Sequence, residues 1–330
     1  MHRHRVSLVC AAALAAALVS TTSAFAQIGY GVNANNVLFS FDTDSPSVVN
    51  SIGPVGFLPE GIDFRPGTST LYAIDIGAVT TQLYTINIAT GAATPVGAGF
   101  PSTGSFNGTP YALTVGQTYG FDFNPKTLMV DDSMRIRLVG TSGVNLRLNS
   151  STGQIAAVDV GLLISPSGNS PFVDAAAYIN NLPETSGTTA LYDMDSRNDK
   201  LYQQNPPNNG TLTEIGAFGA TIDANSNIGF DIYTNPTDAD PSTAGDFGFA
   251  VLTRPDAPLG GPLGAYMLYD VNLATGGLSN GSIVGTSLAP FDFTGGFAVL
   301  PGVVPEPTCA ATLLVAALML LGGRCRQERQ

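Results

Sequence analysis

Apolar and polar residues alternate at period two in short runs along most of this chain. "VLFSFD" (37–42), "GIDF" (61–64), "LYAIDI" (71–76) and "QLYTINI" (82–88) all read this way, and each stops at a cluster of Gly, Pro, Asn, Asp or Thr. That rhythm predicts half-buried β-strands joined by tight turns. Two phrases recur. One is a hairpin, "LYTINIATGAATPVG" at 83–97 and "LYDVNLATGGLSNGSIVG" at 268–285, whose turn glycines recur as Gly91, Gly153, Gly210 and Gly276. An earlier copy, "LFSFDTDSPSVVNSIG" (38–53), keeps the rhythm without the turn glycine. The other is a Gly-led strand: "GIDFRP" from Gly61, "GFDFNP" from Gly120, "GFDIYTNP" from Gly229 and "GFAVLP" from Gly296, with "FVDAAAY" from Phe172 read as a weaker copy.

Alternating repeats of this length point to a propeller or a solenoid. The expected fold is all-β: a propeller of five four-stranded blades. The chain opens with a hairpin lacking its Gly-led strand and closes with such a strand lacking its hairpin, so the two ends should complete one blade together. A β-solenoid is the alternative.

The ends read differently. Residues 1–26 carry Arg3 and Arg5, then an apolar stretch, then Ala24-Phe25-Ala26, which predicts a signal peptide cut after Ala26. From 304 to 330 the chain reads Val304-Pro305-Glu306-Pro307, about 16 apolar residues, and a tip with Arg324, Arg326 and Arg329. At ~1.5 Å per residue the apolar run makes a helix of only ~24 Å, a short membrane span with the arginines on the cytoplasmic side. In that order these parts resemble the PEP-CTERM sorting signal. The resemblance implies signal peptidase and an exosortase as processing partners, transient anchoring through the tail helix alone, and a cell-surface or extracellular product. The expected domain lies between, over 27–303.

Composition then limits the chemistry. Both histidines (His2, His4) and all three cysteines (Cys10, Cys309, Cys325) fall in the end segments, and there is no Trp. The domain therefore has no imidazole or thiolate for metal sites, triads or nucleophilic catalysis. Residues 27–304 hold eight Lys and Arg against 23 Asp and Glu, a net charge of −15. Such a surface repels nucleic acid.

Carboxylates are the remaining candidates. The Gly-led strands place Asp63, Asp122, Asp174 and Asp231 at points read as equivalent, with Ala298 in the last copy. Near a propeller axis they could form a partial ring for a cation or for acid–base chemistry, or they could accept backbone N–H groups and serve the scaffold. Backbone bonds to every ring Asp would favour scaffolding. Asp238, Asp240 and Asp246 in "DADPSTAGD" approach calcium-loop spacing but lack its Gly and bidentate Glu. Ca²⁺ is thus the one cofactor considered, and turn formation without metal is the expected state.

The run "VLFSFDTDSPSVVNSIGPV…GIDFRPGTSTLYAI…QLYTINIATGAATPVG" over 37–97 resembles the bacterial domain of unknown function 4394 family, and weaker likeness continues to about residue 300. The family implies a fold and an address, and no activity. The expectation is a non-enzymatic surface or matrix scaffold, with extracellular polysaccharide as the ligand class. The alternatives are a carbohydrate-active enzyme, whose paired carboxylates would stand ~5–9.5 Å apart, and a calcium-dependent glycan-binding module.

Overall fold

The computed structural model describes residues 27–126, 134–182, 189–222, 228–235, 245–253, 265–286, 289–290 and 293–301. The signal-peptide residues, including Ala24 and Ala26, lie outside them. So do the tail with Val304, Pro305, Glu306 and Pro307, and the loop residues Asp238 and Asp240. Among the described residues no helix is long and apolar enough to cross a membrane.

Five antiparallel sheets are arranged as a propeller around one axis. The second blade shows the plan: β4 (Gly61–Phe64) is innermost, followed outward by β5 (Leu71–Ile76), β6 (Thr80–Ile86) and β7 (Ala93–Pro101). A hairpin, β8 (Thr103–Phe106) and β9 (Thr109–Ala112), leads to the third blade. That blade runs β10 (Tyr119–Asn124), β11 (Arg135–Gly140), β12 (Asn145–Asn149) and β13 (Ile155–Val158). The fifth runs β19 (Gly229–Thr234), β20 (Asp246–Leu252), β21 (Met267–Val271) and β22 (Leu278–Ile283). A two-stranded pair, β23 (Gly285–Thr286) and β24 (Ala289–Pro290), follows it.

The first blade joins both ends of the chain. β1 (Ile28–Asn33) pairs outward with β2 (Val37–Asp42), which pairs with β3 (Val49–Pro54), and inward with β25 (Phe293–Val299). Gly29, Tyr30 and Gly31 lie opposite Val299, Ala298 and Phe297. The complementary leftovers of the sequence therefore do close the ring, and the solenoid is not favoured.

The fourth blade departs from the plan. β15 (Val173–Tyr178), β16 (Leu191–Asp195), β17 (Lys200–Gln204) and β18 (Thr211–Ala217) make its four strands, and β14 (Leu163–Ser165) adds a fifth, parallel to β18 at the rim.

Five apolar clusters fill the five blade interfaces, because strands buried on both faces must present apolar side chains to each neighbour. Tyr30, Ile62 and Leu71 pack between blades one and two. Tyr72, Phe121 and Leu146 pack between two and three, and Met194, Phe230 and Tyr269 between four and five. Phe39, Val251 and Phe297 seal five against one. The interface between three and four holds Leu162, Tyr178 and Leu191, and also a charged group. Arg137 there is 1% exposed. It donates to Asn145 Oδ1 and Asp159 Oδ2, both at 2.7 Å, and across the interface to Asn208 Oδ1 at 2.9 Å.

At the rim the repeated wording acquires a cause. In the second, third and fifth blades the hairpin turn abuts a glycine on an outer strand of the preceding blade. A Cβ at Gly53 would stand 2.2 Å from the Thr90 carbonyl oxygen, and one at Gly91, where φ is +79°, 2.3 Å from the Gly53 carbonyl oxygen. Both positions exclude a side chain, and Gly91 also needs the left-handed backbone. The same reciprocal approach recurs at Gly97 with Gly153 and at Gly216 with Gly276, whereas in the fourth blade a Cβ at Gly210 would stand 2.3 Å from the carbonyl oxygen of Gly161, which lies between β13 and β14. The first hairpin has no turn glycine, and its neighbour reaches it by a hydrogen bond instead, Gly285 N–H donating to Pro46 O at 3.0 Å. In three turns an Asn side chain holds the loop: Asn87 Oδ1 accepts Ala89 N–H, Asn149 Oδ1 accepts Ser151 N–H, and Asn272 Oδ1 accepts Ala274 N–H.

Candidate functional site

The innermost strands β4, β10, β15, β19 and β25 surround the axis, so any residue pointing inward from them meets its counterparts. Asp63, Asp122 and Asp231 do meet, each offering a carboxylate oxygen within 4.8 Å of the others. All three are buried, at 4%, 1% and 3% exposure.

Asp174 does not join them, and the equivalence read from "FVDAAAY" is corrected. Asp63 accepts Phe123 N–H at 2.7 Å, and Asp231 accepts Val299 N–H at 2.6 Å. In each case the donor follows the ring position of the next blade, Asp122 or Ala298. Asp122 itself accepts Tyr178 N–H at 3.0 Å, so the fourth blade's ring residue is Ala177. The true copy of Gly-Phe-Asp-Phe is Ala175-Ala176-Ala177-Tyr178, three residues downstream of the expected frame. A bulge between Val173 and Ala175 accompanies the offset.

The ring is then Asp63, Asp122, Ala177, Asp231 and Ala298, and its logic is hydrogen-bond supply. Each blade presents one backbone N–H just past its ring position, and a buried N–H needs an acceptor. Where the preceding blade has Asp, that Asp supplies it. Where it has Ala, the blade's own Asp turns back: Asp231 also accepts Ile232 N–H at 2.6 Å, and Asp63 also accepts Phe64 N–H. Three carboxylates thus satisfy donors from all five blades.

Burial among like charges pushes the carboxyls up. Asp63 and Asp122 lie well above the ordinary range, first through desolvation and then through neighbouring Asp charges. Asp231 is pushed to about 7 by desolvation, with its bonds from Val299 and Ile232 N–H opposing the rise. The group therefore holds protons to higher pH than free carboxyls do, and its oxygens face the scaffold.

Along the axis, where the chain enters the inner strands, a pocket of about 100 Å³ opens. Its lining includes Leu58, Glu60, Gln117, Tyr119, Asp174 and Ile228. Glu60 Oε2 accepts Ile76 N–H at 2.7 Å, and burial, aided by the Asp75 charge, pushes its carboxyl to about 7. Asp174 is 1% exposed. Its Oδ2 accepts the Ser196 hydroxyl while its Oδ1 has no hydrogen-bond partner, and desolvation holds its carboxyl well above the ordinary range. Gln117 Oε1 is likewise buried without a partner. Tyr119 OH both accepts from Thr114 N–H, at 2.7 Å, and donates to Thr114 O. Glu60 and Gln117 escape sequence reasoning because they sit in loops outside both repeated phrases.

Of the candidate calcium-loop carboxylates only Asp246 is among the described residues. This residue opens β20, and its Oδ1 accepts the Thr234 hydroxyl at 2.5 Å and Asn180 N–H at 3.2 Å. In "DMDSRND", Asp195 closes its own turn by accepting Arg197 and Asn198 N–H.

The sequence pattern of the domain of unknown function DUF4394 matches residues 37–293. The chain belongs to this family. The match takes in the ring Asp residues, every lining residue of the pocket except Gly296, and four of the five inner strands complete. No curated protein matches the chain. Among solved structures, a Bacteroides thetaiotaomicron protein of unknown function is 15% identical over 83% of this chain and 65% of its own, with a TM-score of 0.42. The DUF4394 chain thus spans 65% of that protein's length. A Lactobacillus plantarum protein is 13% identical over 83% and 99%, at a TM-score of 0.34. Myxococcus xanthus glutaminyl cyclase is 11% identical over 74% and 71%, also at 0.34. Likeness at this level says nothing about what this DUF4394 protein binds or does.

Proposed function

We propose that this protein is exported, sorted by its C-terminal tail and displayed at the cell surface or in the extracellular matrix, where the propeller acts as a non-enzymatic scaffold that binds extracellular polysaccharide. One observation carries the non-enzymatic reading. The axial carboxylates, the best catalytic candidates in a domain without His or Cys, are committed to backbone N–H groups of all five blades. A carboxylate held this way is a poor general base or nucleophile, since its lone pairs already accept bonds. Proteolytic processing by signal peptidase and an exosortase supplies the address. The tail helix is the only membrane attachment in this reading, as a domain of −15 charge is repelled by anionic membranes.

The test is incubation of the purified 27–303 domain with extracellular polysaccharide from the host. Co-sedimentation without shortening of the polymer is expected. Depolymerisation that is lost in a Glu60→Gln or Asp174→Asn variant would replace the scaffold with the carbohydrate-active alternative. The address is checked by intact mass: a surface species still ending at Gln330 would mean a plain membrane anchor.

A further inference from the structure

We infer that an uncharged polysaccharide binds along a groove that runs from the Phe57–Tyr84 ring pair, past Asp75 and Glu60, into the pocket at the axis mouth. The inference rests on the polysaccharide reading above, and it assigns that reading a site and a class of sugar.

Strand register builds the groove. Alternation puts residues two apart on one face of a sheet. Ala73 of β5 is buried in the cluster between blades one and two, so Asp75, half-buried, lies on the same side. Across the β5–β6 pair Ala73 faces Tyr84 and Asp75 faces Gln82. Tyr84 therefore stands beside Asp75 on the side turned toward blade one. Phe57, from the loop between β3 and β4, packs on that same cluster and meets Tyr84 with ring centroids 4.4 Å apart. Glu60 comes from the same loop and brackets Asp75: its N–H donates to Ile74 O at 3.0 Å, and its Oε2 accepts Ile76 N–H at 2.7 Å. The Asp75 charge reaches both Glu60 and the Tyr84 hydroxyl. Glu60 in turn lines the mouth pocket with Gln117 and Asp174. Neighbour by neighbour, the path leads from rings to carboxylates to pocket.

The chemistry along this path matches a neutral sugar, whose ring has apolar C–H faces and a rim of hydroxyl donors. Phe57 and Tyr84, both half-buried, offer aromatic surface to such faces. Leu58, 43% exposed, adds apolar surface beside them. Beyond the rings the polar groups are acceptors. Asp174 lines the pocket at 1% exposure with its Oδ1 unpartnered, and Gln117 Oε1 is buried there without a partner too. A buried acceptor left unpaired is costly, and a hydroxyl donor removes the cost. No Lys or Arg lines the pocket. Nothing there pairs with a uronate or sulfate group, and Glu60 and Asp75 repel one. A second ring pair, Phe100 and Tyr111, serves as a control in the same molecule: its centroids are 6.4 Å apart, and the Tyr111 hydroxyl donates to Pro101 O at 2.9 Å.

The chain contains no Trp, so Tyr84→Trp places a single fluorophore in the groove and Tyr111→Trp places one at the control pair. Both are made in the 27–303 domain, whose ring closes within its own residues. Each is titrated with extracellular polysaccharide from the host, divided by anion exchange into uncharged and acidic fractions. The uncharged fraction should shift the emission of Tyr84→Trp saturably and leave Tyr111→Trp unmoved. Tyr84→Ala should weaken co-sedimentation with that fraction about tenfold or more, the scale of a lost aromatic anchor. Tyr84→Phe keeps the ring and should bind nearly as the parent does. A parent domain that binds while Tyr84→Trp emission stays fixed, or that prefers the acidic fraction, would overturn the groove and leave the scaffold reading standing. A parent that binds neither fraction would remove both.

Discussion

The Asp122 carboxylate accepts the backbone N–H of Tyr178 at 3.0 Å, and this bond defines which residue of the fourth blade faces the axis. It reaches from β10 to β15, between blades whose interface also holds the buried Arg137. Removing the acceptor leaves a buried N–H unpaired, at a cost of about 1–3 kcal/mol. Asp122→Ala should therefore lower the unfolding free energy in urea by that amount. Asp122→Asn keeps an acceptor and removes a group whose ionisation burial disfavours, and should fall within about 0.5 kcal/mol of the parent or above it. Equal losses in both variants would mean that the hydrogen bond to Tyr178 N–H is not what the ring draws from Asp122.

Ala177 tests the same logic from the other side. A fourth carboxylate at this point would enter a ring whose five backbone donors already have acceptors. Ala177→Asp should destabilise the domain by several kcal/mol, the cost of a buried polar group without partners. Ala177→Ser should be milder. A neutral Ala177→Asp would show room or donors in the ring that the geometry does not contain.

What the sequence made legible follows from which residues repeat. Ring closure was readable because β1 and β25 each lacked a partner that the other supplies. The glycines were readable as turn formers, but their second role was not: Gly53 and Gly97 look like ordinary strand residues until the next blade's turn lands on them. The ring was readable in four blades, through Asp63, Asp122, Asp231 and Ala298, and misread in the fourth blade. There "FVD" imitates "GFD" in wording, while backbone pairing selects "AAA", which carries no polar signal at all. The mouth pocket was invisible because Glu60 and Gln117 come from non-repeating loops, and only the fold brings them to Asp174.

The rim contacts make a sharp prediction. Gly53 has an ordinary strand backbone, so its only reason to be glycine is the 2.2 Å that a Cβ would leave to Thr90 O. Gly53→Ala and the analogous Gly216→Ala, 2.1 Å from Thr275 O, should each cost about 1–3 kcal/mol through a forced backbone shift. Gly108→Ala also introduces a Cβ but meets nothing within 4 Å at a left-handed residue, and should cost less. Thermal unfolding of the three variants ranks them.

Arg137 is the buried charge whose loss should cost most. Its guanidinium joins Asp159 and Asn145 of its own blade to Asn208 of the next, and it opposes the desolvation that pushes the fully buried Asp193 to about 8. Arg137→Met keeps much of the volume, strands the Asn145 and Asn208 oxygens and leaves Asp193 without its countercharge, while Asp159 keeps Arg147, a loss of about 3–5 kcal/mol by urea unfolding. Adding Asp193→Asn to Arg137→Met should recover part of it, because the second change removes a carboxyl left without its countercharge.

Stability should fall as pH rises through neutrality, the reverse of the behaviour of a domain held by salt-bridged carboxylates. An unfolded Asp titrates near 3.8, whereas Asp231 in the folded ring titrates near 7, Asp193 near 8, and Asp63 and Asp122 well above the ordinary range. Between those limits the folded state binds more protons than the unfolded state, so the unfolding free energy decreases with pH. The stabilisation from protonation is complete below about pH 3.8 and is lost as pH passes through the folded values near 7 and 8. Glu60, at about 7, adds to the same slope. The melting temperature should be highest in mildly acidic buffer and several degrees lower at pH 8.5. Asp231→Asn should flatten the profile between pH 5 and 8 by removing one titrating group. The Lys200–Glu214 pair at 2.7 Å is exposed and should contribute little to the profile. A melting temperature that rises from pH 5 to pH 8 would mean that the ring carboxyls ionise without cost, and that a positive group or bound cation compensates them at the axis.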